Sequence, residues 1–127
     1  MNQPEMDDLQ RLMEVIRKAV EFDENGDSAF ALQVLSAVVE EFPSLALGHS
    51  YLAWVLSRVG RHREAIEHGR VAIQLSPESE RVSILLFRVL WGAGEIIHAL
   101  DEMKRFMAIG HSDEYLSVMS ELEQTGE

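Results

Sequence analysis

The sequence predicts an all-α fold in which three helix–turn–helix units stack side by side and a seventh helix follows them. The first observation is a spacing, because Pro43 and Pro77 lie 34 residues apart and each closes a similar run of residues. The second is that small residues recur with the same period, at Gly26, Gly60 and Gly94 and at Ala31, Ala65 and Ala99. A period of this length is typical of stacked helix–turn–helix units. The predicted architecture is therefore an α-solenoid of about seven helices.

The first unit is predicted from its turn and from the apolar stripe of its second helix. The first helix covers residues 5–24, and Asn25-Gly26-Asp27 forms a turn, since Gly and Asn tolerate the left-handed conformation that ends a helix. Pro43 ends the second helix. The apolar residues of that helix come in pairs four residues apart, at Phe30, Ala31, Val34, Leu35, Val38, Val39 and Phe42.

The same signals predict the helices of the second and third units. These helices cover residues 45–59, 62–75, 78–93 and 95–109, with turns at Gly60, Gly94 and Gly110. The start of the fifth helix is assigned to Ser76 and Pro77. A serine hydroxyl caps free N–H groups, and proline in the first turn has no N–H to leave unpaired.

The seventh helix is predicted from a capped start at Ser112. Asp113 and Glu114 fall in its first turn, where the helix dipole favours acidic side chains. Its apolar residues form one stripe, made of Tyr115, Leu116, Val118, Met119 and Leu122. The opposite face is polar, which is typical of a helix that packs on one side.

Composition and charge restrict the possible functions. The 127 residues, 46% of them hydrophobic and 26% charged, suit a single domain over residues 1–127. The net charge of −11 argues against nucleic acid and anionic membranes as partners, because both require a basic surface. The sequence has no 18-residue apolar run, no signal-peptide core and no cysteine. We therefore expect an acidic cytoplasmic protein.

The middle of the chain carries a spaced set of small and apolar residues, namely His49, Leu52, Ala53, Leu56, Gly60, Ala65, Gly69, Ala72 and Pro77. This set resembles the tetratricopeptide repeat (TPR), a family in which small residues lie where paired helices cross and Pro closes the second helix. The resemblance extends over three repeats, at about residues 12–43, 46–77 and 80–111. It implies that residues 112–124 form a capping helix over the apolar face of the last repeat.

Four residues depart from the family pattern. His111 stands where Pro is expected, and Phe87 and Phe106 replace small residues in the third repeat. Gly69 replaces the usual large side chain. A glycine there lets the neighbouring helix approach closely, but it weakens its own helix.

In the family, the first helix of each repeat lines a concave groove that binds other polypeptides. The groove positions implied here are Met13, Ile16, Arg17, Val20, Glu24, Leu47, Ser50, Tyr51, Trp54, Arg58, Arg81, Ile84, Leu85, Arg88 and Trp91. They include four arginines and both tryptophans but one acid, in a chain with 22 acidic and 11 basic residues. Tryptophan and arginine dominate binding hot spots, and arginine forks onto carboxylates. The resemblance therefore implies a non-enzymatic protein–protein interaction module whose partner carries apolar anchors and acidic groups.

One subtype of the family holds a partner's C-terminal carboxylate with a clamp of Lys, Asn and Arg residues. The matching positions are Ile16, Val20, Tyr51, Arg81 and Leu85. Only Arg81 is basic, so recognition of a chaperone tail of that type is not expected. The apolar replacements favour an amphipathic helix or an extended hydrophobic segment as ligand.

Other interpretations stay open at this stage. Trp54 and Trp91 are inter-helix core in one of them, since aromatic residues at helical spacing are commonly core. In another the domain is a self-associating scaffold subunit, with Met119 and Leu122 in a homodimer interface. In size and architecture the chain also resembles type III secretion chaperones, which shield hydrophobic segments. The alternative fold is an antiparallel helical bundle without superhelical stacking.

No pattern in the sequence predicts an enzyme or a metal site. His62 and His68 are six residues apart, which puts them on opposite sides of a helix, and no His-Glu-x-x-His motif is present. A calcium loop starting at Asp23 is excluded, because Gly26 comes two positions early and Val34 occupies the twelfth place. The sequence also has no glycine-rich phosphate loop and no nucleophile elbow. We expect neither cofactor nor metal.

Overall fold

The computed structural model describes residues 6–125, and in this range the chain forms seven α-helices and no strand. The helices are α1 (Met6–Glu24), α2 (Ser28–Glu41), α3 (Ala46–Arg58), α4 (His62–Leu75), α5 (Glu80–Gly92), α6 (Ile96–Met107) and α7 (Asp113–Thr125). The all-α prediction and the number of helices are confirmed. Residue 5, predicted to start α1, lies outside the described residues. None of the described helices has the length and apolar character needed to cross a bilayer.

The start of α5 differs from the sequence prediction. The Ser79 hydroxyl accepts a hydrogen bond from the Val82 amide at 3.2 Å, so Ser79 and not Ser76 caps this helix. The Ser76 amide instead donates to the Ala72 carbonyl at 2.9 Å, which closes α4. The prediction was two residues early because Ser76 and Pro77 belong to the connection between the repeats.

The end of α6 also differs from the prediction by two residues. The amides of Ile109 and Gly110 both donate to the Phe106 carbonyl at 2.9 Å, so the chain turns just after Met107. Such tightening of the last turn is common at helix ends.

A glycine in the left-handed region forms each turn within a helix pair. Gly26, Gly60 and Gly94 have φ angles of 96°, 87° and 82°. A Cβ atom added at any of the three would meet nothing within 4 Å. The backbone conformation, and not lack of space, therefore requires glycine at these turns.

The helices pair along the chain and then stack. α1 packs on α2, α3 on α4 and α5 on α6, while α3 also contacts α1, α2 and α5. Ala31, Ala65 and Ala99, which share the 34-residue spacing, are completely buried. Small side chains at these positions let paired helices approach closely, which explains the period seen in the sequence.

Gly69 and Phe87 show how the structure accommodates departures from the family pattern. A Cβ atom at Gly69 would lie 2.8 Å from the Cδ1 atom of Leu86, so the missing side chain makes room for α5 against α4. Phe87 and Phe106 are buried, and the Tyr115 ring packs against both, with ring centroids 5.5 and 6.0 Å away. The larger residues of the third repeat therefore form the surface on which α7 packs.

A buried polar network joins α5, α6 and α7. The Ser83 hydroxyl donates to a Glu102 carboxylate oxygen at 2.7 Å and lies 2.7 Å from the Tyr115 hydroxyl. Because the single proton of the Ser83 hydroxyl is donated to Glu102, the Tyr115 hydroxyl donates to Ser83. Burial raises the pKa of Tyr115, which keeps this donor protonated. Arg105 forks onto Glu102 at 2.7 and 2.9 Å. Each buried polar group in the network therefore has a partner.

α7 uses only part of its predicted apolar stripe for this contact. Tyr115 is buried and Val118 packs beside it, whereas Leu116 and Met119 are 44% and 37% exposed. Leu116 and Met119 therefore belong to the predicted stripe but lie outside the buried contact around Tyr115. They lie on a side of α7 that no described helix covers.

Candidate functional site

The first helices of the three repeats lie side by side, because α3 contacts both α1 and α5. Two apolar cavities open along these helices. We call the one lined by α1 and Tyr51 the N-terminal cavity, and the one between α3, α5 and α7 the C-terminal cavity. Together they form the candidate site.

The N-terminal cavity has a volume of about 730 Å³. Leu9, Met13, Ile16 and Val20 form its floor, and their spacing places them on one face of α1. Charged side chains surround this floor, and they are Glu14, Arg17, Glu21 and Glu24. The cavity is thus apolar inside and mostly acidic at its rim.

The C-terminal cavity has a volume of about 500 Å³ and is aromatic. Trp54 comes from α3, while Phe87 and Trp91 come from α5, with their ring centroids 5.6 Å apart. Val118, Glu121 and Leu122 of α7 complete the wall. Since α7 supplies one side of this cavity, the helix that covers the third repeat also shapes the candidate site.

Neither tryptophan is a fully buried core residue. Trp91 is 40% exposed, and Trp54 is half-buried with the Arg58 guanidinium carbon 5.8 Å from its ring centroid. That distance is within the range of a cation–π contact. Both indole rings face the same cavity, so a ligand in that cavity reaches both of them.

Three of the four groove arginines are ion-paired within the protein. Arg17 pairs with Glu14 and Glu21 on its own helix, and Arg88 pairs with Glu114 at the start of α7. The hydrogen bond to Arg17 holds the pKa of Glu14 below its usual value. These contacts neutralise guanidinium groups that the sequence suggested for recognition of an acidic partner.

Arg58 is held by a buried carboxylate. Its Nε atom lies 2.5 Å from Oδ2 of Asp23, whose side chain is only 1% exposed. The Ser28 hydroxyl donates to the other oxygen of the same carboxylate. Asp23 therefore joins the end of α1 to the start of α2 and to α3 of the next repeat.

Arg81 is the groove arginine without a carboxylate partner among residues 6–125. Its Nη1 group donates to the Tyr51 hydroxyl at 2.9 Å, and the side chain is otherwise exposed. Tyr51 also lines the N-terminal cavity, so Arg81 lies next to the wall of that cavity opposite α1.

The structure separates the predicted groove residues into two groups. Met13, Ile16, Arg17, Val20 and Tyr51 line the N-terminal cavity, and Trp54, Arg58, Arg88 and Trp91 line the C-terminal cavity. Glu24 also lines the N-terminal cavity, and the remaining groove residues line neither cavity. Of these, Ser50, Ile84 and Leu85 are buried, Leu47 packs against the small core cluster around Ala46, and Arg81 lies beside Tyr51.

The sequence reasoning did not include Leu9, Phe87, Val118 and Leu122 in the site. Phe87 was recognised as a large residue in place of a small one, which was a signal that the third repeat makes an additional contact. Leu122 was assigned to a dimer interface. Its position on the cavity wall depends on how α7 lies beside α5, which the 34-residue period does not encode.

The described residues contain a close histidine pair but no group arranged to hold a metal ion. No group of three or more His, Asp or Glu side chains within residues 6–125 lies in an arrangement that could hold a metal ion. The close pair His49 and His68, with Nδ1 atoms 3.1 Å apart, lies at the contact of α3 with α4 and lines neither cavity.

Comparison with known proteins identifies the fold. No protein-family model matches the sequence, and no curated protein matches it either. The structure is similar to the first TPR of Spaghetti (RPAP3) bound to the HSP90 peptide SRMEEVD, with a TM-score of 0.74 and 12% identity over 91% of this chain and 95% of that one. The second TPR of Spaghetti, bound to the same peptide, gives a TM-score of 0.65 and 13% identity over 77% of this chain and 91% of that one. The chain therefore has a TPR-like fold.

Proposed function

We propose that this protein is a non-enzymatic protein–protein interaction module that binds a peptide or helical segment of a partner in its concave groove. The observation that carries the proposal is the C-terminal cavity, which is lined by Trp54 of α3 and the partly exposed Trp91 of α5. Exposed aromatic residues in a preformed pocket are typical binding hot spots. The similarity to TPR domains that hold a peptide supports this interpretation.

The partner segment inserts an apolar side chain between the two tryptophans. The cavity of about 500 Å³ accommodates a leucine, methionine or aromatic residue. Because the helices are already in place, binding does not pay for ordering the site, which favours affinity. An acidic group of the same segment pairs with Arg81, since the other three groove arginines already have carboxylate partners.

The ligand differs from one held by a carboxylate clamp. At the five positions that would form such a clamp, Ile16 and Leu85 are buried and Val20 is apolar. Tyr51 and Arg81 are hydrogen-bonded to one another. Apolar contact therefore contributes more to binding here than capture of a terminal carboxylate does.

The proposal is tested by affinity capture from a lysate of the source cell with the wild type and with Trp54→Ala/Trp91→Ala. Val71→Ala/Ile97→Ala serves as the control, because both of its side chains are exposed and line neither cavity. Circular dichroism verifies that all three proteins are folded. We expect partners that the tryptophan variant loses and the control keeps. If both variants capture the same partners equally well, the partners bind outside the groove.

Self-association is a second candidate function, favoured by the exposure of Leu116 and Met119 on α7. A second copy that packs against this face would bury both side chains. Light scattering over a range of protein concentrations tests the idea. Self-association predicts a molecular mass that rises with protein concentration, and Leu116→Asp/Met119→Asp should abolish this rise without unfolding the chain. A constant monomer mass would eliminate this candidate.

A further inference from the structure

The N-terminal cavity differs in charge from the rest of the groove. Three glutamates and one arginine line it, and Arg17 is already shared by two of those glutamates, Glu14 and Glu21. Glu24 has no ion pair with any of residues 6–125. The lining therefore carries more negative than positive charge.

The end of α1 adds to this negative potential. α1 has no basic residue in its last turn, so no cationic side chain there offsets the partial negative charge of the helix C-terminus. Arg58 of the neighbouring repeat is bound to the buried carboxylate of Asp23. Arg81 approaches from the opposite wall, where the Tyr51 hydroxyl engages it.

The floor beneath this acidic rim is apolar and elongated. Leu9, Met13 and Val20 lie in a row along α1, and Tyr51 of α3 lines the same cavity. Lysine and arginine carry a long aliphatic stem beneath a charged head, so they suit a site with an apolar floor and an acidic edge. An acidic side chain in the same place would face Glu21 and Glu24.

We infer that the bound segment places a lysine or arginine in the N-terminal cavity, with its stem on Met13 and Val20 and its charged head between Glu21 and Glu24. This inference rests on the proposed function. It makes the ligand a segment of mixed charge, with a basic residue on the α1 side of the N-terminal cavity and the acidic group at Arg81 on the opposite side. An uncharged apolar residue lies between Trp54 and Trp91. The charge of the groove thereby sets the direction in which the segment lies across the three repeats.

The inference is tested by selecting a displayed library of random 12-residue peptides on the wild-type domain. Enriched peptides are synthesised with a fluorescent label, and their affinities are measured by anisotropy. We expect the enriched peptides to share a lysine or arginine at a fixed distance from a large apolar residue. Glu21→Gln/Glu24→Gln should weaken their binding about fivefold, as expected for losing contacts to exposed carboxylates. Replacing the shared basic residue with methionine should weaken binding similarly and remove the effect of the variant.

The control variant is Glu40→Gln/Glu41→Gln, which changes the net charge equally at exposed positions of α2 that line neither cavity. If both glutamine variants bind equally while Trp54→Ala/Trp91→Ala abolishes binding, the inference is wrong and the proposed function stands. If the tryptophan variant binds the enriched peptides as well as the wild type does, the proposed function fails. A library that yields no groove-dependent peptide counts against both.

Discussion

The two ends of the helical array are held together in different ways. At the N-terminal end, the single carboxylate of Asp23 joins α1, α2 and α3 through Ser28 and Arg58. At the C-terminal end, aromatic packing and a hydrogen-bonded network join α5, α6 and α7 around Tyr115. Both ends have an apolar core, and they differ in the polar contacts that join their helices, which are an ion pair at the N-terminal end and a hydrogen-bonded network at the C-terminal end.

The difference explains why the two cavities have different chemistry. The ion pair at the N-terminal end uses a groove arginine, so Arg58 serves structure and the acidic side chains of α1 determine the charge around the adjacent cavity. The residues of the network at the C-terminal end line neither cavity, whereas both tryptophans line the C-terminal cavity. What stabilises each end therefore decides which side chains remain for a ligand.

The largest effect is expected from removing Tyr115. Tyr115→Ala deletes a fully buried ring and leaves Ser83 without the hydroxyl that it faces, so we expect the free energy of unfolding to fall by about 3–5 kcal/mol. Urea denaturation followed by circular dichroism measures this change. The variant should also lose the wall that α7 gives to the C-terminal cavity.

Two further variants determine how the C-terminal end is stabilised. Tyr115→Phe keeps the ring and removes only the hydroxyl, so a loss of about 1 kcal/mol is expected. Leu116→Ala, at an exposed neighbouring position, should change stability little. If Tyr115→Phe destabilises the protein as much as Tyr115→Ala does, the network and not the aromatic packing holds α7.

A smaller effect is expected at the N-terminal end. Arg58→Ala leaves the buried carboxylate of Asp23 without its ion pair, so we expect the free energy of unfolding to fall by about 2 kcal/mol. The loss is limited because Arg58 is half-exposed, and its removal lets water reach the carboxylate. The same denaturation experiment measures it. Arg61→Ala is the matched control, because Arg61 pairs with Glu64 on the surface and the unfolding midpoint should not change. Equal midpoints for the two variants would show that the ion pair does not hold this end.

The smallest effect is the loss of stability expected on lowering the pH. It arises in the middle repeat, from the pair His49 and His68. The Nε2 group of His49 donates to the Pro43 carbonyl at 2.8 Å, which leaves its Nδ1 atom to accept from His68. Burial, and then the neighbouring His49, lower the pKa of His68, while Glu64 and Glu67 partly oppose this shift.

The direction of the pH dependence follows from that lowered pKa. The unfolded chain binds a proton at His68 more readily than the folded protein does, so this histidine reduces stability as the pH falls below about 6.5. Thermal unfolding of wild type and His68→Gln between pH 8 and pH 5 measures the difference. The wild type should lose more stability than the variant over this range. Parallel curves would contradict the prediction.

The regular features of the fold were readable from the sequence because they repeat. Each repeat has the same backbone geometry, which requires alanine where helices cross and glycine in the turns. These residues therefore predicted the helix positions to within about two residues. The sequence predicted the residues that line the two cavities less completely. The sequence assigned no role to Asp23 and predicted that Arg58 binds a ligand, yet the two side chains bind one another across repeats.

Such contacts depend on which side chains are long enough to meet between neighbouring repeats, and the 34-residue period does not predict them. The same holds for Tyr115. Its position near the start of α7 was predicted, but its hydrogen bond to Ser83, which lies 32 residues earlier, follows from how α7 rests on Phe87 and Phe106.

The turn glycines have one more consequence, which concerns handedness. Gly26, Gly60 and Gly94 have positive φ and open space around the missing Cβ atom, so these turns discriminate between mirror-image residues and not between sizes. An L-alanine at Gly60 is strained by about 1 kcal/mol, whereas D-alanine, introduced by chemical synthesis, adopts this backbone without strain. D-Alanine also restricts the unfolded chain more than glycine does. A synthetic domain with D-alanine at all three turns should therefore unfold at a higher temperature than the natural chain.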